Sequence, residues 1–83
     1  MAGTLHTEAY RDVVRFLIEL RARAGLSQAD LAKRLAKPPS FVGKYETCER
    51  RLDVIEFLVL LRILNSSFEE FQRETKVRVP NSL

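Results

Sequence analysis

The side chains in this sequence that can do chemistry are mostly cations, and they gather in one stretch. Residues 27–52 carry Lys33, Arg34, Lys37, Lys44, Arg50 and Arg51 against Asp30, Glu46 and Glu49, a net charge of +3. Residues 53–75 reverse the sign, with Arg62 and Arg73 against Asp53, Glu56, Glu69, Glu70 and Glu74. A basic stretch beside an acidic one has two readings. Both are solvated helix faces, or the first binds a polyanion while the second repels it and sets its orientation. Other chemistry is thinly supplied. His6 is the single histidine and Cys48 the single cysteine. Neither has partners at metal-ligand spacing, and no nucleophile–base–orienter set or glycine-rich phosphate loop is present. An enzyme is not expected, nor a metal or other cofactor. One thiol excludes an internal disulfide and suits a reducing, cytoplasmic setting.

These groups must be positioned by helices. The chain has 83 residues, 46% hydrophobic and 30% charged, which suits one small domain. Glycine and proline number 3 each, too few for a turn-rich β fold. No apolar run approaches the ~20 residues that cross a bilayer, so no membrane partner is expected. Tyr10, Val13, Val14, Leu17, Leu20 and Ala24 recur at helical spacing, and Gly25 ends that helix. Ser27 with Asp30 reads as a capping box opening a second helix over about 28–36, with Leu31, Ala32 and Leu35 inward. Lys37-Pro38-Pro39 breaks it, and Pro39 suits the first turn of a third helix over about 39–47, with Val42 and Tyr45 inward. Asp53 with Glu56 and Ser67 with Glu70 open two more helices, and Asn65 closes the fourth in a left-handed conformation. The expected fold is an all-α bundle of five helices. It comprises an arm over 1–6, a domain over 7–75, and a tail over 76–83 that frays rather than forming a short strand. The two short helices joined by a tight turn in the basic stretch make a helix-turn-helix candidate.

The ordered motif then becomes specific. Leu26-Ser27-Gln28-Ala29-Asp30-Leu31-Ala32, Lys37-Pro38-Pro39-Ser40-Phe41-Val42-Gly43-Lys44-Tyr45-Glu46 and Glu49-Arg50-Arg51-Leu52-Asp53 together resemble the XRE, or Cro/lambda-repressor-like, helix-turn-helix family. The resemblance runs from about Val13 to Phe71. It implies double-stranded DNA as partner, with the third helix in the major groove. It places Pro39, Ser40, Gly43 and Lys44 at base edges, a thin reader with little bidentate capacity. It assigns Gln28, Lys37, Arg50 and Arg51 to phosphates, with bracing of the third helix as the other role open to Gln28 and Lys44 also able to serve at phosphates, and leaves Phe41 open between a thymine contact and the core. It pairs Arg21 with Glu46 as a structural ion pair between the first and third helices. Ala36 and Cys48 stand where family members usually have glycine. Cys48 therefore sits in an altered or strained turn, and an exposed thiol beside Arg50 and Arg51 is a candidate oxidant sensor.

One recognition helix covers few base pairs, so a homodimer on a palindromic operator is expected. The helix opening at Asp53 is apolar around most of its circumference. That places the dimer surface on the helices spanning 53–75, at Val59, Leu60, Ile63 and Phe71, with Leu58 and Leu61 turned inward. The expected function is a small prokaryotic transcriptional regulator, a repressor or autoregulator. The alternatives are a protein-interaction module of the same fold, or an antitoxin or restriction–modification controller subunit.

Overall fold

In the computed structural model, residues 8–75 and 79–82 are described. They form α1 (Glu8–Arg23), α2 (Gln28–Arg34), α3 (Ser40–Glu46), α4 (Val54–Ile63) and α5 (Phe68–Glu74), with no strand among the described residues. The expected arm with His6, and Lys76, Val77 and Arg78 of the expected tail, lie outside the described residues.

Side chains write the helix starts. Ser27 Oγ accepts from the Asp30 amide, and the Asp30 carboxylate accepts from the Ser27 amide. Asp53 and Glu56 form the same box at α4, and Ser67 Oγ accepts from the Glu70 amide at α5. Each such cap is worth about 1 kcal/mol. α3 has none: Pro39 precedes it with helical dihedrals and no side-chain cap. Proline has no N–H to satisfy, which removes one of the orphan donors a cap would serve.

The first four helices end alike. Gly25, Ala36, Cys48 and Asn65 each take a positive φ, at 70°, 57°, 64° and 60°. In each case the next residue's amide reaches back to the helix's third-last carbonyl: Leu26 to Arg21, Lys37 to Ala32, Glu49 to Lys44 and Ser66 to Leu61. This is the Schellman closure, and only one of its four pivots is glycine. An L side chain in that region costs roughly 1–2 kcal/mol. Ala36 is exposed, so its methyl makes up none of that cost through burial. Ala36→Gly is expected to stabilise the fold by about 0.5–1 kcal/mol, read as a higher denaturant midpoint at unchanged m. An unchanged or lower midpoint would contradict the strain. Cys48 differs, because its side chain is buried against Tyr10 and Val14. It is therefore not the exposed thiol that oxidant sensing needs.

Two sequence expectations fail in the core. On α1, Phe16 is buried, and Ala24 lies exposed just past the helix end, so the inward face runs Tyr10, Val14, Phe16, Leu17, Leu20. On α4 the inward stripe is Phe57, Leu60, Leu61 and Leu64, at i, i+3, i+4 and i+7. Leu60 is 0% exposed, so it cannot be a dimer contact, and Leu58, expected inside, is 44% exposed. Ile63 and Phe71 are half-buried and pack on the core. The Phe71 ring meets Phe16 edge-on at 5.4 Å and Phe57 at 5.1 Å, seating α5 against α1 and α4. The outward stripe of α4 is Val54, Ile55, Leu58 and Val59, all exposed.

Candidate nucleic-acid interface

α3 packs on α2 and α1 through one face. Leu31 and Ala32 of α2 and Val42 and Tyr45 of α3 are fully buried. Ala32 is completely enclosed, so a larger side chain there would force α2 away from its neighbours. Phe41 is buried too, which settles it as core. Its ring lies 5.8 Å from Tyr45, with the Lys37 ammonium at 5.4 Å and the Arg50 guanidinium at 4.8 Å over its face. Burial also pushes the Tyr45 hydroxyl well above the usual tyrosine range.

The opposite face of α3 is open. Pro39, Ser40, Lys44 and Thr47 are exposed and Gly43 half-exposed. Ser40, Gly43, Lys44 and Thr47 repeat at i, i+3, i+4 and i+7, one stripe along the helix. The Lys44 ammonium makes no ion pair among the described residues. Thr47 was not among the expected site residues. Its periodicity from Ser40 marks it, and its hydroxyl donates to Glu49 Oε2 at 2.9 Å. Glu49 therefore sets a negative charge at the far end of this stripe.

A network behind α3 fixes its pose. Arg21 Nε donates to Glu46 Oε2 at 2.7 Å and Arg21 Nη2 to Glu46 Oε1 at 3.0 Å, a bidentate pair. Arg21 Nη1 also donates to the Leu26 carbonyl at 3.0 Å, reaching the α1–α2 turn. The Gln28 Nε2 donates to Glu46 Oε1 at 2.8 Å. One carboxylate thus joins α1, α2 and α3, and its hydrogen bond raises the Arg21 pKa further.

The expected phosphate ligands divide. Lys37 is exposed at the turn before α3 and Arg51 lies over the Tyr10 ring at 4.6 Å. Tyr10 in turn accepts from the Leu52 amide at 3.0 Å, which pins the α3–α4 loop to α1. Arg50 is a correction. Its guanidinium donates to both Glu56 oxygens at 2.9 and 2.8 Å while resting on Phe41. That bond locks the loop to the start of α4 rather than offering the charge to a phosphate.

The Arg50 hydrogen bond, then the Asp53 amide, hold the Glu56 carboxyl below the usual glutamate range. A carboxyl depressed in the fold adds stability above its unfolded pKa and loses it as pH falls through the folded one. The melting temperature should therefore decline below about pH 4.3, where an unfolded glutamate titrates. Glu56→Gln is expected to be less stable than wild type at pH 7 and to decline less steeply in acid. Parallel pH profiles for the two chains would refute the linkage.

Comparison with known proteins bears on the same elements. Residues 17–71 match a family model described as helix-turn-helix. Among solved structures, an XRE-family like protein from Pseudomonas syringae pv. tomato str. DC3000 is similar, with 41% sequence identity and a TM-score of 0.76. The likeness covers 84% of this chain and 87% of that one. No curated protein matches the chain significantly. The family match takes in α2, α3 and the turn between them, together with the Arg21–Glu46 pair behind them. The chain belongs to the XRE-like helix-turn-helix family, whose members are DNA-binding transcription regulators.

Proposed function

We propose that the protein is a dimeric, sequence-specific binder of double-stranded DNA, a repressor or autoregulator of the prokaryotic cytoplasm. α3 enters the major groove with Pro39, Ser40 and Lys44 at base edges and Gly43 permitting close approach. Lys37 and Arg51 hold flanking phosphates. The observation that carries this reading is the open α3 stripe with its unpaired Lys44, backed by a network that fixes the helix. The reader is chemically thin, so specificity per half-site is modest and DNA shape contributes. Regulation acts through dimerisation, with two α3 helices facing a two-fold operator.

Mobility-shift titration across salt tests it. Affinity should fall linearly in log–log form with salt, and Lys44→Ala should make the slope shallower by about 1 if Lys44 releases a counterion. Binding that is absent or independent of salt would overturn the reading and favour a protein-interaction module, for which the exposed α4 stripe is the available surface.

A further inference from the structure

We propose that Gln28, although it belongs to α2, reads a base, its side-chain carbonyl filling the place where α3 has no side chain. The inference rests on the DNA-binding reading. Its support is geometric. The Gln28 Nε2 donates to Glu46 at 2.8 Å. Both Glu46 oxygens are also held by Arg21, so that carboxylate can only accept. Turning the carboxamide over would set oxygen against oxygen, so its orientation is dictated by the network rather than left free.

With Nε2 facing Glu46, Oε1 faces Gly43. A Cβ built on Gly43 would stand 3.4 Å from Gln28 Oε1 and 4.0 Å from its Cδ. The glutamine therefore lies across the one gap in the Ser40–Lys44 stripe. No described residue donates to Oε1, and Gln28 is exposed. A carbonyl oxygen is repelled by phosphate and attracted by an exocyclic amino group. In the major groove that means adenine N6 or cytosine N4. A Cβ at residue 43 would just touch the carbonyl at van der Waals distance, whereas a longer side chain would crowd it out, and the effective reading set adds Gln28 to Pro39, Ser40 and Lys44.

The test is selection of bound duplexes from a random library, followed by titration of the winning site and its single-base variants. Wild type, Gln28→Met, Gly43→Leu and the double variant are compared, each with its melting temperature as a fold control. Wild type should show one position per half-site that requires adenine or cytosine on the contacted strand. Gln28→Met should flatten that position alone, costing about tenfold on the preferred base while affinity for unrelated DNA holds. Gly43→Leu should disturb the same position, and the double variant should lose no more there than Gln28→Met. A uniform loss on every sequence with the preference intact would overturn the inference and make Gln28 a phosphate ligand. Independent, additive losses at two different positions would overturn it as well. A wild type that selects no sequence overturns the DNA-binding reading itself, a result distinct from both.

Discussion

Arg21→Ala should lower the melting temperature by about 15 °C. The reasoning begins with burial. The Glu46 side chain is 6% exposed and that of Arg21 19%. Surface pairs of this kind contribute little, but removing one partner of a buried pair leaves a charge that water cannot reach. Here the stranded group would be the Glu46 carboxylate, left with the Gln28 amide as its side-chain donor. The Leu26 carbonyl loses its donor too. A buried break costs 3–5 kcal/mol, and the partial exposure of Arg21 puts the expected loss near the low end, about 3 kcal/mol. A domain this size carries roughly 4–12 kcal/mol in all, and each kcal/mol moves its midpoint by about 4–8 °C. Glu46→Ala should cost less, because a freed Arg21 can turn its guanidinium toward solvent. The double replacement Arg21→Met with Glu46→Leu should recover most of the loss, since no buried charge then remains. Thermal melts of the four chains check this. Equal, small losses in both single variants would show that the pair is solvated and that α3 is held by packing alone.

The same pair shows what the sequence could and could not disclose. Arg21 and Glu46 were expected from family resemblance, at residues 25 apart that no local rule connects. The local devices were readable directly. Ser27–Asp30, Asp53–Glu56 and Ser67–Glu70 form the caps they spell, because a cap needs only residues three apart. Asn65 takes the left-handed turn its type permits. The register of α4 was not readable. An apolar run around the whole circumference offers several inward stripes, and only packing decides among them. Phe57 and Leu64 decide it here by meeting the core, which turns Leu60 in and Leu58 out. Arg50 departs from its expected role for a related reason. A cation in a basic loop looks like a phosphate ligand until a carboxylate from the next helix, Glu56, is seen to reach both its terminal nitrogens. Gln28 likewise reads as a phosphate ligand until Gly43 is seen beside its carbonyl.

If the proposed dimer forms through α4, Leu58→Asp should leave the fold intact, make the chain monomeric, and weaken operator binding by a hundredfold or more. The outward stripe of Val54, Ile55, Leu58 and Val59 is the reason. These side chains are 71%, 67%, 44% and 41% exposed, and Phe68 at the start of α5 is 49% exposed. A single exposed apolar residue is ordinary, but four on one short helix present a patch of the kind that marks an interaction surface. Covering it with a second copy would meet the need of the proposed function, because one seven-residue α3 would read few base pairs and two held rigidly would read a two-fold site. Once the first half-site is bound, the second subunit binds at an effective concentration near millimolar, and a monomer forfeits that gain. An aspartate at residue 58 would sit in water on the free subunit, so its cost falls on association. The same substitution at Leu60, which is fully buried, would instead unfold the domain and report nothing about assembly. Sedimentation of wild type and Leu58→Asp at tens of micromolar, paired with circular dichroism and operator titration, separates the outcomes. A wild type that sediments as a monomer would remove the dimer. A variant that stays dimeric would place the two-fold contact elsewhere on the chain, and a monomeric variant with undiminished operator affinity would show that binding does not depend on the dimer.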